Sequence, residues 1–475
     1  MDGGKIQRMR NQILNGPIVK TLILLAYPLI INQLVQVLYN LTDTFWLGKL
    51  GREELAAPGT AWPLISFFIS IGMGFANAGF AFVSQYVGAG NYKKANRAAG
   101  ALYSLMMLFA IAVGMVGIIL APYLLRFMNV SDTVYPYALS YTRVIFAGIP
   151  FSFTLFAFNF LLRAIGDTKT PVRINIATVL LNLVLDPFFI FGWGPFPELG
   201  VVGAAVATML SNSLGSLVGG YLLFSGKVGI HLTLHNLKPD WPFYSRIFRV
   251  GIPSSIGSST TAFGFVILTR IIFTIGKLYG QAHGIEKFED IAFATYSITN
   301  RLTSFMFAFS DGISMAMGTM VGQAVGARLY QRAKEVAEKT MAINFTILGV
   351  GTLLFILFRV QIFRFFINDP AIIAESAKVV KYFAISLPFF GIFAAVENVF
   401  RSAGHTKKSM VLDMFRLWVL RLPLSYGLGV LMRDTAGMWL GMGLSNILGA
   451  VVALAWFLRG SWMKAIIEEE PGEHG

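Results

Sequence analysis

Twelve long apolar runs, separated by short polar loops, set the pattern of this sequence. A bilayer core about 30 Å thick requires roughly 20 apolar residues in each helix that crosses it. The runs that reach this length lie at about residues 17–45, 55–85, 94–122, 135–163, 170–192, 200–224, 246–275, 291–325, 333–358, 376–402, 408–431 and 436–460. They predict an all-α polytopic membrane protein with twelve transmembrane helices.

The second half of the chain repeats the first half at an offset of 238 residues. The aligned segments are Val83–Ala95 with Val321–Ala333, Ile149–Phe151 with Leu387–Phe389, and Arg163–Lys169 with Arg401–Lys407. Three segments at one offset indicate that a unit of six helices is duplicated. Pro28 pairs with Pro253 at a smaller offset of 225, which predicts a 13-residue insertion in the loop around Gly280–Asp290.

An even number of helices in each half determines how the halves enter the membrane. Both should enter in the same sense, so we expect two six-helix lobes related by a pseudo-two-fold axis along the membrane normal. The first lobe would comprise residues 1–238, including a cytoplasmic linker, and the second lobe residues 239–475.

Composition and charge support the membrane class and suggest an orientation. The chain is 55% hydrophobic and only 13% charged, with a mean hydropathy of +0.65, which is too apolar for a soluble protein of this size. The net charge of +14 comes from loops between apolar runs, a distribution that favours anionic lipid over nucleic acid as the partner. Of the 38 Lys and Arg residues, 23 lie on the side of the N-terminus and 11 on the opposite side. This bias predicts a multi-pass protein of the cell membrane with both termini in the cytoplasm.

A polar stripe runs along the predicted helix at 170–192. Asn175, Thr178, Asn182 and Asp186 are spaced three, four and four residues apart, so they share one helix face. Pro187 follows the acid and lacks an N–H, which frees a backbone carbonyl beside the stripe. A carboxylate inside the membrane is costly and marks a functional site.

The first predicted helix carries a matching polar face. Gln36, Tyr39 and Asp43 lie at spacings of three and four inside another apolar run. We expect Asp43 and Asp186 to meet at a site within the first lobe.

The chemistry of that site has two interpretations. Two close carboxylates repel each other unless a proton or a cation lies between them, so the pair suits uptake and release of a proton. Alternatively, Asp43, Asn182, Asp186 and Thr208 would bind Na⁺, a hard cation that favours oxygen ligands. A structural pair of acids, joining two helices through shared hydrogen bonds, is the remaining alternative.

The second half offers a different set of polar residues. Glu397 is the counterpart of Asn159 at the offset of 238 and is the candidate for a second-lobe site, with a static ion pair to an arginine as the alternative. Asp413 and Arg416 have the spacing of a salt bridge within one helix. Asp311 is a further acid inside a predicted span, without an assigned role.

Enzyme motifs are missing from the sequence. It contains no HExxH, GxSxG or P-loop lysine motif. We therefore predict a protein that is not an enzyme, needs no cofactor, and transports either with an ion gradient or with no energy source.

Four segments resemble the multidrug and toxic compound extrusion (MATE) family, in particular its branch named after the DNA-damage-inducible protein F (DinF). They are Gln36–Gly48, Gln85–Ala95, Arg163–Pro171 and Asn182–Pro187. The resemblance spans the whole chain and implies a coupling site at Asp43, Asn182, Asp186 and Thr208, with cavity residues Gln36, Tyr39 and Asn159. It also implies that Pro28 bends the first helix.

The resemblance implies an efflux antiporter. Such a monomeric transporter would export amphipathic organic cations in exchange for H⁺ or Na⁺ by alternating access; the alternative is a flippase for a lipid-linked precursor. One departure from the family pattern is notable. Members with a cation site in the second lobe carry an acid in helix 7, whereas Arg246–Ile275 contains none, which argues against a second-lobe sodium site here.

Overall fold

The computed structural model describes residues 3–128 and 130–467, and these fold into helices joined by short loops. The helices, in chain order, are α1 Gly3–Asn15, α2 Ile18–Gly48, α3 Arg52–Gly88, α4 Tyr92–Phe127, α5 Tyr135–Ile165, α6 Lys169–Phe191, α7 Val201–Ser225, α8 Trp241–His283, α9 Phe288–Gly326, α10 Tyr330–Leu357, α11 Arg359–Phe366, α12 Pro370–Tyr382, α13 Leu387–Ser402, α14 Thr406–Met414, α15 Leu422–Met432 and α16 Thr435–Leu458. A 3-10 turn, Ala384–Ser386, precedes α13, and a π-helix, Phe415–Arg421, joins α14 to α15.

Each of the twelve predicted spans falls on helical structure. Ten stretches of the described residues are long and apolar enough to cross a membrane by length and composition. The two other spans are α9 and the segment from α14 to α15. The first of these carries Arg301 and Asp311 within its length, and the second is interrupted by the π-helix.

The helix ends repeat as the sequence does. Helices α3 and α9 end at Gly88 and Gly326, and α4 and α10 begin at Tyr92 and Tyr330, so both pairs of positions differ by 238. The additional residues predicted around Gly280–Asp290 are present there, but mainly as helix rather than as a loop. Helix α8 has 43 residues against 31 in α2, so the additional residues mainly lengthen a helix and leave only a short turn before α9.

Two compact units are present among the described residues. The first unit contains residues 3–255, 322–329 and 465–467, and the second contains residues 256–321 and 330–464. In the first unit, α5 packs against α3, α4 and α7, around a core rich in Phe, Leu and Ala. In the second unit, α13 packs against α10 and α16, around a core that includes the fully buried Trp439.

The loop between α5 and α6 shows how the repeated Arg163–Lys169 motif folds. Gly166 ends α5 with a φ of +96°, a left-handed conformation that favours glycine. Asp167 then accepts hydrogen bonds from the backbone N–H and the hydroxyl of Thr170, and pairs with Lys5 at 2.8 Å. Burial alone would raise the pKa of Asp167, but these hydrogen bonds and the Lys5 charge hold it below its ordinary value.

The π-helix adds one residue to a helical turn. Leu422 donates its N–H to the carbonyl of Leu417, five residues earlier, instead of four as in an α-helix. Pro423 follows at once in α15 and has no N–H to donate. Side chains five residues apart therefore lie on the same face here, among them Arg416 and Arg421.

Candidate functional site

The polar stripe of α6 is buried inside the first unit, as its spacing predicted. Thr178, Asn182 and Asp186 are all buried, and the exposed fractions of Asn182 and Asp186 are only 2% and 1%. The opposite face of the helix, which includes Leu180 and Val184, is exposed. The helix thus turns its polar groups inward and its apolar groups outward, as expected for a membrane helix that lines a polar interior.

A chain of hydrogen bonds connects α6 with α7 and α2. The Asn182 side-chain amide donates to Oδ1 of Asp186 at 3.2 Å and approaches Oγ1 of Thr208 at 3.4 Å. The Thr208 hydroxyl in turn lies 3.2 Å from the Tyr39 hydroxyl on α2. Four residues that the sequence analysis selected therefore belong to one network on three helices.

A second chain of amides lies along the same helices. Asn159 on α5 donates to Oδ1 of Asn175 at 3.2 Å, and Asn175 donates to Oδ1 of Asn32 on α2, also at 3.2 Å. The sequence analysis missed Asn32. Its position four residues before Gln36 places it on the same face of α2 as Gln36 and Tyr39, which is the signal that would have found it.

The remaining predicted residues of this site lie on α2. Pro28 is buried within α2, and the helix continues on both sides of it although the proline has no N–H to donate. Gln36 is exposed. The backbone of Asp43 belongs to α2, but its side chain lies outside the described residues, so the meeting of Asp43 with Asp186 stays a prediction.

The donor set around Asp186 consists of oxygen atoms. They belong to a carboxylate, an amide and two hydroxyls, and the buried Oδ1 of Asn182 has no hydrogen-bond partner. Oxygen donors of this kind suit Na⁺, and a carboxylate can instead take up a proton. Among the described residues, no group of three His, Cys, Asp or Glu side chains has the geometry of a transition-metal site.

In the second unit, Glu397 forms an ion pair with an arginine. The sequence analysis gave this ion pair as the alternative to a second-lobe site. Arg401 contacts the carboxylate of Glu397 one helical turn away, and Ser409 donates to the same carboxylate at 3.2 Å. Arg401 also pairs with Asp413 at 3.2 Å. The predicted Asp413–Arg416 salt bridge was therefore wrong, because Arg401 reaches Asp413 from α13 and Arg416 points elsewhere.

Comparison with known proteins identifies this arrangement. A family model described as MatE matches residues 28–188 and 266–427, which together exceed half of the chain. The chain belongs to the MATE family. The two matched segments begin 238 residues apart, in agreement with the internal repeat.

Individual MATE relatives agree with this assignment along nearly the whole chain. The probable multidrug resistance protein NorM of Thermotoga maritima is 30% identical over 464 residues, covering 94% of each chain. A protein of Shewanella oneidensis named FAD transporter is 25% identical, over 92% of this chain and 94% of the relative. A crystal structure of a MATE transporter in a bent conformation superposes with a TM-score of 0.86 at 26% identity, covering 96% of this chain and 98% of the other.

Membership of the MATE family establishes the class of protein. The chain is a multi-pass, all-α membrane transporter with twelve transmembrane helices in two six-helix lobes, and it is not an enzyme. Its relatives carry names of multidrug resistance proteins. The assignment to the DinF branch stays a prediction.

Proposed function

We propose that this MATE protein exports amphipathic organic cations in exchange for H⁺ or Na⁺. The observation that carries the proposal is the buried carboxylate of Asp186, hydrogen-bonded to Asn182 within a network that reaches α2 and α7. We infer that Asp43 completes this site and that the coupling ion binds there. The excess of Lys and Arg in loops on one side supports cytoplasmic termini, and we take the transporter to act as a monomer.

The physical basis of coupling is the cost of burying charge. An ionised carboxylate with little access to water is destabilised unless a proton or a cation neutralises it. Binding of the coupling ion would remove this cost and let the surrounding helices pack more closely. Because Tyr39 and Thr208 connect Asp186 with α2, occupancy of the site can change the position of that helix and so the shape of the substrate path.

The proposed cargo is an organic cation because the first unit presents acids and aromatic rings. Carboxylates attract cations, and ring faces such as that of Tyr39 add a further attraction. The family name alone does not fix the charge of the cargo, since one relative is named for FAD. The test therefore needs substrates of both charges.

Efflux from proteoliposomes tests the proposal. Tetraphenylphosphonium and FAD would be followed separately under an imposed pH gradient, an imposed Na⁺ gradient, and no gradient. We expect tetraphenylphosphonium efflux to require one of the two gradients and to be lost in Asp186→Asn. The matched control is Glu198→Gln, which neutralises an exposed acid in the loop after α6.

Two results would overturn the proposal. Transport of tetraphenylphosphonium at the same rate with and without gradients would exclude ion coupling and favour a flippase or a facilitator. Gradient-dependent transport of FAD without transport of the cation would keep the coupling but reverse the charge of the cargo.

A further inference from the structure

A cavity inside the second unit combines aromatic walls with two buried arginines. It has a water-accessible volume of about 80 Å³. Its wall includes Phe265, Tyr296, Phe390 and Trp439, together with Arg416 and Arg421 from the π-helix. All these residues belong to the second unit.

Arg421 is held by neutral partners only. Its Nε donates to the Ser445 hydroxyl at 3.1 Å and its Nη2 donates to Oδ1 of Asn446 at 2.7 Å. The side chain is 8% exposed. Some of the Arg421 N–H donors thus have hydrogen-bond partners, but no carboxylate of the described residues lies within ion-pair distance of the guanidinium group.

Arg416 is buried more deeply and is less well satisfied. It is 5% exposed, and its Nε and Nη1 have no hydrogen-bond partner within the described structure. The guanidinium lies over the rings of Phe390 and Phe393, at 5.0 and 4.8 Å from their centroids. A buried N–H without a partner is destabilising, more so on a charged group, so an acceptor from outside the protein would stabilise these donors.

The acidic residues near Arg416 form ion pairs with a different arginine. Glu397 and Asp413 both pair with Arg401. Asp413 attracts Arg416 through space but forms no ion pair with it at 4.0 Å or less. The cavity therefore presents positive charge that the surrounding carboxylates do not neutralise by direct contact.

The internal repeat relates this cavity to the site around Asp186. Thr208 corresponds to Asn446 at the offset of 238, and Thr178 corresponds to Arg416. The π-helix adds one residue, so Asn182 corresponds to Arg421 at an offset of 239 rather than to Leu420.

Hydrogen bonding supports that correspondence. In the first unit, the Asn182 side chain donates to Thr208, and in the second unit the Arg421 side chain donates to Asn446. The duplicated position thus keeps its partner helix but acquires a positive charge.

The acids of the first site have no acidic counterparts in the second. At the offset of 239, Asp186 corresponds to Ser425, and at the offset of 225 that relates the first helices of the two halves, Asp43 corresponds to Leu268. Leu268 lines the cavity, and Ser425 is buried with its hydroxyl unpartnered. At the positions that correspond to Asp186 and to the predicted site residue Asp43, the second unit has no carboxylate, and its cavity carries two guanidinium groups, so its electrostatic preference is reversed.

We propose that this cavity of the second unit binds a small organic carboxylate, with the carboxylate at Arg416 and Arg421 and the apolar part against the aromatic walls. Guanidinium groups bind carboxylates through charge-assisted hydrogen bonds in a matching planar geometry. The rings favour an apolar body over an inorganic anion. The volume limits the ligand to a few non-hydrogen atoms, because a cavity that holds benzene measures about 150 Å³.

Ligand-observed fluorine NMR tests the proposal on the full-length protein in nanodiscs. The probes are fluoroacetate and its neutral analogue fluoroacetamide, which have nearly the same shape and only a few non-hydrogen atoms. Since hydrogen bonds to charged groups contribute about 1.5–3 kcal/mol, we expect the carboxylate to bind at least about tenfold more tightly. Equal affinity for the two probes in the wild-type protein would overturn the proposal without any variant.

Variants then locate the site. Arg421→Gln and Arg416→Met should each weaken carboxylate binding about tenfold or more while leaving amide binding unchanged. The matched control Arg364→Gln removes an exposed arginine of α11 in the same unit and should have no effect. Undiminished carboxylate binding in both cavity variants would place the ligand elsewhere and refute the assignment, and displacement by an equal concentration of chloride would identify an adventitious ion only.

The measurement is independent of ion-coupled efflux. It records binding without any gradient, and Asp186→Asn should bind the carboxylate as the wild type does. Failure of the proposed cation export would therefore leave this inference standing, and the reverse also holds.

Discussion

A methyl group added at Gly88 would lie 2.0 Å from the carbonyl oxygen of Gln323. The repeat-related contact is equally close, because a methyl group at Gly326 would lie 2.0 Å from the carbonyl oxygen of Gln85. The ends of α3 and α9 thus cross within the first unit at two glycines that occupy equivalent positions of the repeat. In both contacts the obstructing atom is backbone, so a side chain could not move aside to relieve the clash.

We predict that Gly88→Ala destabilises the protein by about 1–3 kcal/mol, the usual cost of overpacking. The measurement is the thermal midpoint of the purified protein, which should fall by several degrees. Gly427→Ala is the matched control, since it lies in α15 with no atom within 4 Å of an added methyl group. An unchanged midpoint in Gly88→Ala would show that the helices separate at no cost.

Neutralising the acids of the first unit should stop coupling but spare the fold. We predict that Asp43→Asn and Asp186→Asn each abolish gradient-driven efflux, because the site loses the charge that binds the coupling ion. Removing a buried charge does not destabilise the surrounding helices, so the thermal midpoint should not fall. Full efflux activity in either correctly inserted variant would contradict the assignment.

The hydroxyl contact between Tyr39 and Thr208 permits a double-mutant cycle. We predict that Tyr39→Phe and Thr208→Val each slow efflux by about two- to tenfold, since one hydrogen bond contributes about 0.5–1.5 kcal/mol. The double variant should be no slower than the more affected single variant, because both substitutions remove the same contact. Multiplicative losses in efflux rate would show that the two hydroxyls act independently.

Because Glu397 forms an ion pair, we expect its substitution to affect efflux less than substitution of Asp43 or Asp186 does. Glu397→Gln keeps a side-chain oxygen near Arg401 and Ser409, while Asp413 continues to pair with Arg401. We expect ion coupling to persist and the ratio of efflux rates between two organic cations to shift. The control is Glu338→Gln, which breaks an exposed pair of the same spacing with Lys334. Loss of coupling in Glu397→Gln, with active Asp43→Asn, would move the coupling site to the second unit.

The stoichiometry of exchange determines its dependence on voltage. A monovalent ion that enters through about 100 mV releases roughly 2.3 kcal/mol, enough for a gradient of roughly fifty-fold in a neutral substrate. We predict one-for-one exchange, because one bound cation relieves the repulsion between two carboxylates. The voltage contributions then cancel for a monovalent cationic substrate. Efflux at fixed pH and Na⁺ gradients should be insensitive to a potential clamped with valinomycin and K⁺; strong voltage dependence would indicate two coupling ions.

The helical spacing of polar residues made the first site predictable from the sequence. Asn182 and Asp186 are polar positions at helical spacing in an otherwise apolar run, and burial follows directly from the cost of placing them in lipid. Asn32 was missed because a single amide, one turn before Gln36 on the same face, carries little signal by itself. Its role depends on Asn159 and Asn175, which other helices bring to it.

The salt bridge of the second unit was predicted wrongly for a different reason. The spacing of Asp413 and Arg416 suits a pair only in a regular helix whose acid has no better partner. Here α13 brings Arg401 to Asp413, and the π-helix directs Arg416 and Arg421 toward a common cavity. The spacing of two residues in the sequence reveals neither a competing partner from another helix nor an additional residue in the helical turn.

Helix α8 is the longest helix among the described residues. At 1.5 Å per residue, its 43 residues extend about 65 Å, whereas a bilayer with its headgroups is about 40–45 Å thick. The helix is therefore roughly 20 Å longer than the bilayer is thick, and at its end Tyr279 stacks on His283 and contacts Phe288. We expect this aromatic end of α8 to offer a helical epitope for an antibody fragment, which would serve as a fiducial for aligning single-particle images of the 52.2 kDa chain.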